Sequence, residues 1–288
     1  MFIVFPGQGS QKSGMGLKFA GHPIFESFIK SSSQILNRDL AFLLNECSNE
    51  ELSKTENAQV AIFLMNHIIM QIAKESKNIQ PTKLAGHSLG EFNALVEAGV
   101  FSFEDALRFV AERGKIMSEM KSGAMMALMG CDLSQALSVC AVVSQESSMC
   151  FVGNYNSSGQ IILSGCKEAL KRAADFAKVI GKKSIMLNVS GAFHSPYMHE
   201  ASLRLKDLIE KFELKEPKID VISNLFAKPV ENAQDWKQFI PLHVKSMVRW
   251  KEIMDYANQE EVLEIGACEV LTKISKRDGA NIKFLEVL

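Results

Sequence analysis

The sequence predicts an α/β fold in which a small βαββαβ unit interrupts a larger domain. Two observations carry this. Short β-like runs, Phe2–Phe5 and Lys83–Ala85, alternate with helical patterns through the first part of the chain, the rhythm of an α/β domain. From Ala124 to Asn188 the rhythm becomes strand, helix, hairpin, helix, strand over about 65 residues, which is the ferredoxin-like arrangement. At 288 residues the chain has room for one large domain with such an insert, or for two modest ones.

Each element has its own signal. Met1-Phe2-Ile3-Val4-Phe5-Pro6-Gly7 lacks a basic start and meets a proline after a short apolar run, so it reads as a first strand entering a loop and not as a signal peptide. Val60 to Ala73 is apolar but broken by Asn66 and His67, and is too short to span a bilayer. Within the insert, Ala124–Gly130 reads as a strand and Asp132–Ser144 as a helix. Cys150–Asn154 and Gln160–Ser164 flank a turn of Asn, Ser and Gly and read as a hairpin. Lys167–Ile180 is a helix stopped by Gly181, and Lys183–Asn188 a closing strand. A helix near His199–Phe212 and a strand near Asp220–Ser223 follow. The domains are therefore expected at 1–123 with 189–288, and at 124–188.

Composition excludes several classes of function. A hydrophobic fraction of 47% with 23% charged residues is that of a soluble globular protein. The net charge of −1 offers no broad surface for nucleic acid or an anionic membrane. Six cysteines are scattered without a C-x-x-C pair, which favours reduced thiols in a cytoplasmic protein over disulfides or zinc.

Gly86-His87-Ser88-Leu89-Gly90 is a G-x-S-x-G sequence between a short strand and a helix, Glu91–Ala98. In that context the serine sits on a strained strand-to-helix turn, where flanking glycines avoid Cβ clashes. Its hydroxyl faces a helix N-terminus whose N–H groups can stabilise an oxyanion. A solvated serine on an ordinary turn is the plainer alternative. His87 is expected to point away and serve packing or orientation. Among the histidines His194 stands out, because it follows the strand Lys183–Asn188 in a loop, where α/β enzymes place catalytic groups. A structural loop histidine remains the alternative. The His194–His199 interval does not fit a helical metal pair.

Ser102 opens a helix running to about Met120 with a capping-box-like pattern. Phe103, Ala106, Leu107, Val110, Gly114 and Met117 form one apolar stripe at 100° per residue. Arg113 falls at the edge of that stripe while its charged neighbours face away. An inward guanidinium is costly unless an anion meets it. It is either a structural ion pair or snorkelling arginine, or a bidentate clamp for a substrate carboxylate.

Together these residues resemble the malonyl-CoA:acyl carrier protein transacylase family over nearly the whole chain. Phe5-Pro6-Gly7-Gln8-Gly9-Ser10-Gln11 resembles its opening loop, Gly86–Gly90 its nucleophile elbow and Glu112-Arg113-Gly114-Lys115 its arginine segment. Asn154-Tyr155-Asn156 with Gly159-Gln160 resembles its hairpin, and Gly191-Ala192-Phe193-His194-Ser195-Pro196 its histidine loop. The resemblance implies an α/β-hydrolase-like core carrying the ferredoxin-like insert, with a cleft between them. It implies Ser88 as nucleophile, His194 as general base, and backbone N–H groups of Gln8 and Leu89 as the oxyanion hole. Arg113, Phe193, Asn156 and Gln59 are the implied substrate-binding residues, with Phe193 crowding an α-methyl branch. A backbone carbonyl near Val248–Trp250 is expected to orient the imidazole in place of an acidic third member.

The implied reaction is ping-pong transfer of malonyl from coenzyme A to holo acyl carrier protein for fatty-acid synthesis. No cofactor, metal, nucleic acid or membrane is expected, and the chain is expected to act as a monomer. Carrier proteins of this kind are acidic, so Lys182-Lys183 and Lys273, Lys276, Arg277 are the short basic groupings available to steer docking, unless they are simply solvated lysines. The chain departs from the family pattern at Gln59-Val60, where Gln-Pro is usual, at Gly266-Ala267-Cys268 in place of Gly-Pro-Gly, and at Arg249, where some members carry glutamine. The rival readings are a serine acyl hydrolase or esterase on the same core, and a non-catalytic carrier-protein binding module.

Overall fold

The computed structural model describes residues 1–258 and 260–288. Nine strands occur among them: β1 (Phe2–Phe5), β2 (Lys83–Gly86), β3 (Ala124–Met129), β4 (Cys150–Ser157), β5 (Gln160–Gly165), β6 (Lys183–Met186), β7 (Asp220–Ile222), β8 (Val262–Glu264) and β9 (Ile282–Phe284). They form two sheets. The larger has the order β7-β2-β1-β8-β9, and each neighbouring pair is parallel. Its centre is β1, whose Phe-Ile-Val-Phe run is buried throughout, as a parallel strand covered on both faces requires.

One covering layer is helical. The helix Thr55–Lys77 is buried on nearly every face from Thr55 to Ala73 and lies against the helices Pro23–Leu36, Gly90–Glu97 and Phe103–Glu119. This accounts for its apolar length without a bilayer. No helix among the described residues is long and apolar enough to cross a membrane. The helix Phe103–Glu119 buries Ala106, Leu107, Val110, Gly114 and Met117, and Ser102 caps its first turn by accepting from Asp105 N.

The smaller sheet has the order β4-β5-β3-β6 with all three pairings antiparallel. The helices Leu133–Val143 and Lys167–Val179 cover one face and close a second core around Met126, Leu128, Val139, Ile161 and Leu163. The other face gives Met125, Ala127 and Ile162 to the main core, so period-2 alternation along β3 and β5 splits the two cores. The sheet is also stitched to the rest of the molecule by Tyr155 N donating to Val248 O at 2.8 Å and Val248 N donating to Gly153 O at 2.9 Å. The closing strand is shorter than the expected Lys183–Asn188. Pairing with β3 ends at Met186 opposite Met126, and Leu187 to Val189 turn to line a cavity between the two sheets.

Candidate active site

The cavity, about 380 Å³, lies beyond the carboxyl ends of β1, β2 and β8, where parallel α/β sheets place their ligands. Two backbone turns make its floor. Gly7, after β1, packs so tightly on the turn after β2 that a Cβ would sit 2.2 Å from His87 O. A Cβ on Gly90 would sit 2.1 Å from Phe5 O, and one on Gly86 would strike the backbone of Gly90. His87 N donates to Phe5 O at 2.9 Å. Against this interlock Ser88 is held at φ 50°, a left-handed conformation that costs a non-glycine residue about 1 kcal/mol or more. Its side chain thereby stands clear of the sheet at the N-terminus of Gly90–Glu97. Asn224, just after β7, accepts from Ser88 N at 2.9 Å and donates to Gly86 O at 2.6 Å.

Ser88 Oγ lies 2.8 Å from His194 Nε2. The histidine loop is pinned by Ser195 Oγ donating to Ala192 O at 2.6 Å and by His194 N donating to Val244 O at 2.8 Å. His194 takes φ 60°. Its Nδ1 faces two main-chain carbonyls, His243 O at 3.0 Å and Ser246 O at 3.2 Å. Both can accept only if Nδ1 carries the proton, which leaves Nε2 as the acceptor toward Ser88. The carbonyls expected near Val248–Trp250 do not serve here. Val248 O is taken by Tyr155 N in the stitch between the sheets, and the chain leaving the helix Ala233–His243 supplies the acceptors instead. Burial first, and then the charge of Arg113, lowers the His194 imidazole to about 3. It is neutral at ordinary pH.

Arg113 is 1% exposed and borders the cavity. Gly114 allows this, because its position would put a Cβ only 3.0 Å from Glu56 Cα, bringing two helices into close contact. Gln59, on the facing helix, accepts from Arg113 Nη1 at 2.6 Å. The guanidinium also lies 5.3 Å from the centre of the Phe92 ring. Its Nε and Nη2 have no partner, and burial lowers the group to about 10, with Glu91 acting the other way. A structural ion pair would have satisfied those donors. A buried, half-partnered guanidinium beside a cavity is set up to receive an anion.

The remaining residues take distinct places. Gln8, Leu89, Phe193 and Asn156 line the cavity. Leu89 precedes the first residue of Gly90–Glu97, among the N–H groups that a helix cannot satisfy itself. Gln59 is not on the cavity wall; it stands behind Arg113 and orients it. His87 reaches the cavity, contrary to the expectation that it points away, and its Nε2 meets Asn156 Oδ1 at 2.8 Å. Among the described residues no cluster of three or more His, Cys, Asp or Glu could hold a metal ion. Sequence reasoning missed Asn224, Glu91 and His243. A hint existed for Asn224, which follows a strand as the other cavity residues do.

The chain matches the family described as acyl transferase domain over residues 2–282. It is 36% identical to the malonyl CoA-acyl carrier protein transacylase of Bacillus subtilis, over 99% of this chain and 92% of the relative. It is 34% identical to the polyketide biosynthesis malonyl CoA-acyl carrier protein transacylase of the same organism, over 95% of each. Among solved structures, the malonyl CoA-acyl carrier protein transacylase from Coxiella burnetii superposes with a TM-score of 0.94 at 32% identity, over 99% of this chain and 93% of that one. A malonyl-transacylase in complex with its type II polyketide acyl-carrier protein superposes with a TM-score of 0.93 at 34% identity, over 98% and 94% of the two chains.

Proposed function

The chain belongs to the acyl transferase family, and we propose that Ser88 and His194 carry its chemistry as nucleophile and general base. The protein moves malonyl from coenzyme A to the phosphopantetheine thiol of acyl carrier protein, a supply step of fatty-acid synthesis. The observation that carries the residue assignment is the 2.8 Å contact between Ser88 Oγ and a neutral His194 Nε2 in a cavity that also holds the half-partnered Arg113.

His194 Nε2 takes the Ser88 proton as Oγ attacks the thioester carbonyl, and main-chain N–H groups of Gln8 and Leu89 receive the developing oxyanion. The C–S bond breaks, His194 returns the proton to the departing thiolate, and malonyl remains esterified to Ser88. The carrier-protein thiol then gives its proton to His194 and attacks the ester. The ester bond between Ser88 Oγ and the malonyl carbonyl breaks, and His194 returns the proton to Oγ. The two carbonyls on Nδ1 stabilise the imidazolium in each half-reaction. Arg113 holds the free malonyl carboxylate, and Phe193 limits bulk at the α-carbon.

The fold reading that fits best is an α/β-hydrolase-like core, 1–123 with 189–288, carrying a ferredoxin-like subdomain at 124–188. The β4-β5-β3-β6 order of the small antiparallel sheet supports it. A monomer in the cytoplasm is the corresponding setting, and six unpaired cysteines favour a reducing compartment. A hydrolase of this type needs a carboxylate on the histidine, whereas His194 Nδ1 meets only carbonyls. The deciding experiment is intact-protein mass spectrometry after incubation with malonyl-CoA, followed by addition of holo acyl carrier protein. A malonyl adduct mapped to Ser88 that disappears onto the carrier supports the reading. An adduct elsewhere, or one lost to water as fast as to thiol, sinks it.

A further inference from the structure

Glu91 touches both arms of the site and has no part in the steps above. It lies in the first turn of Gly90–Glu97 and is 2% exposed. Oε1 accepts from Asn224 N at 2.7 Å and from Asn224 Nδ2 at 2.9 Å. The same Asn224 receives the Ser88 N–H at 2.9 Å. Oε2 lies 3.4 Å from His243 Nδ1 without a hydrogen bond between them, and the carbonyl of His243 accepts from His194 Nδ1 at 3.0 Å. One carboxylate is therefore a single residue removed from the nucleophile and a single residue removed from the base.

Resting on the transfer chemistry proposed for Ser88 and His194, we propose that Glu91 is the buried positioning acid of the site: as a carboxylate it fixes the Ser88 turn through its hydrogen bonds to Asn224, and its charge, acting across the buried His243 ring, favours the protonated form of His194. A carboxyl that merely fills space and bonds Asn224 could carry a proton without consequence. Its charge separates the two ideas. Burial raises Glu91 to about 7, opposed by the Asn224 hydrogen bonds and the Arg113 charge. The ionisable groups around it are Arg113 from Phe103–Glu119 and His243 from Ala233–His243, with His194 beyond. His243 is pushed well below its ordinary value, first by burial, so its approach to Glu91 is not an ion pair. With His194 at about 3 and Arg113 at about 10, Glu91 is the member of this group that titrates near neutrality. Protonating it withdraws negative charge just where His194 must become positive.

The test follows kcat/KM for malonyl–Ser88 formation from malonyl-CoA between about pH 5 and 9, with kcat and KM resolved at each pH and folding checked by circular dichroism. The wild type is expected to lose rate below about pH 7 and to level off about tenfold lower near pH 5, once a single proton has settled on Glu91. Glu91→Gln keeps the shape and removes the charge. It is expected to lower kcat by about tenfold at pH 8, leave KM unchanged, and abolish the acid limb. Asn224→Ala keeps the carboxyl, and is expected to lower kcat by about tenfold at pH 8 while an acid limb persists, moved to higher pH because a hydrogen bond that lowers Glu91 is gone. A Glu91→Gln enzyme with wild-type rate and a wild-type limb overturns the proposal. If that variant does not fold, the wild-type profile decides: a limb near neutrality supports the proposal and a flat rate down to about pH 5 overturns it. A malonyl–Ser88 adduct at any pH leaves the transferase reading standing, so the two ideas fail separately.

Discussion

Arg113 is tied to Gln59 by a single hydrogen bond of 2.6 Å, while its Nε and Nη2 meet nothing. The guanidinium is thus oriented from behind and left open in front. Arg113→Ala is expected to reduce malonyl transfer at least tenfold, since a desolvated charge-assisted pair is worth roughly 2–5 kcal/mol. Acetyl transfer should hold or rise, because an acetyl group leaves the same guanidinium unpaired. Parallel kcat/KM measurements with malonyl-CoA and acetyl-CoA check this. An equal fall for both would make Arg113 a structural residue.

Ser88→Ala is expected to form no malonyl adduct by intact mass. His194→Ala is expected to slow adduct formation by about two to four orders of magnitude, the scale of a lost general base. If His87→Ala were the more damaging change in a folded protein, the two histidines would exchange roles.

Phe193 is 4% exposed and lines the cavity, as Met125 and His194 do. Phe193→Ala should open space at the acyl α-carbon. Competition between malonyl-CoA and methylmalonyl-CoA should then shift toward the branched substrate by about tenfold, the range that a few methylenes of pocket volume command. An unchanged ratio would place the discriminating contact elsewhere.

His67 is stacked on Phe103 at 4.3 Å, and burial first, then Lys74, lowers it to about 3. A histidine depressed when folded lends stability above its unfolded value near 6.5, and that stability is lost as pH falls toward the folded value. Each such group steepens the loss by about 1.4 kcal/mol per pH unit in that window. His67→Phe should therefore flatten the acid side of a denaturant-melt series between about pH 6 and 4 by roughly that slope. An unaltered slope would mean that His67 titrates alike in the folded and unfolded chain and that burial does not depress it.

Salt should slow transfer to acyl carrier protein while leaving transfer to a free pantetheine thiol nearly unchanged. Lys183, Lys276 and Arg277 are exposed, whereas Lys182 donates to Gly130 O and Lys273 pairs with Glu269 at 3.7 Å. The first three are the better candidates for substitution. Equal salt dependence for both acceptors would remove the case for basic docking.

What could be seen in the sequence was whatever has a local signature. Ser88 announces itself by its glycines, His194 by its place after a strand, and Arg113 by its angle on a helix. The two carbonyls on His194 Nδ1 have no side-chain signature, so their position was misjudged by a few residues. Glu91 and Asn224 are separated by 133 positions and meet only because β7 lies beside β2. Glu91 also reads as an ordinary first-turn acid, and nothing local marks it as buried. The end of β6 was overrun because apolar Leu187 and Val189 continue the strand pattern, although they face the cavity.

The interlock of Gly7, Gly86 and Gly90 changes how variation in this chain should be read. Each added methyl would strike backbone atoms, which cannot swing aside, so these glycines answer to folding whether or not the serine between them reacts. In a saturation survey that scores cellular abundance and turnover separately, Gly7→Ala, Gly86→Ala and Gly90→Ala should deplete the protein itself. Ser88→Ala should leave abundance intact and remove turnover alone. The motif's glycines therefore mark a shape and its serine marks an activity, and a descendant that lost the second could keep the first indefinitely.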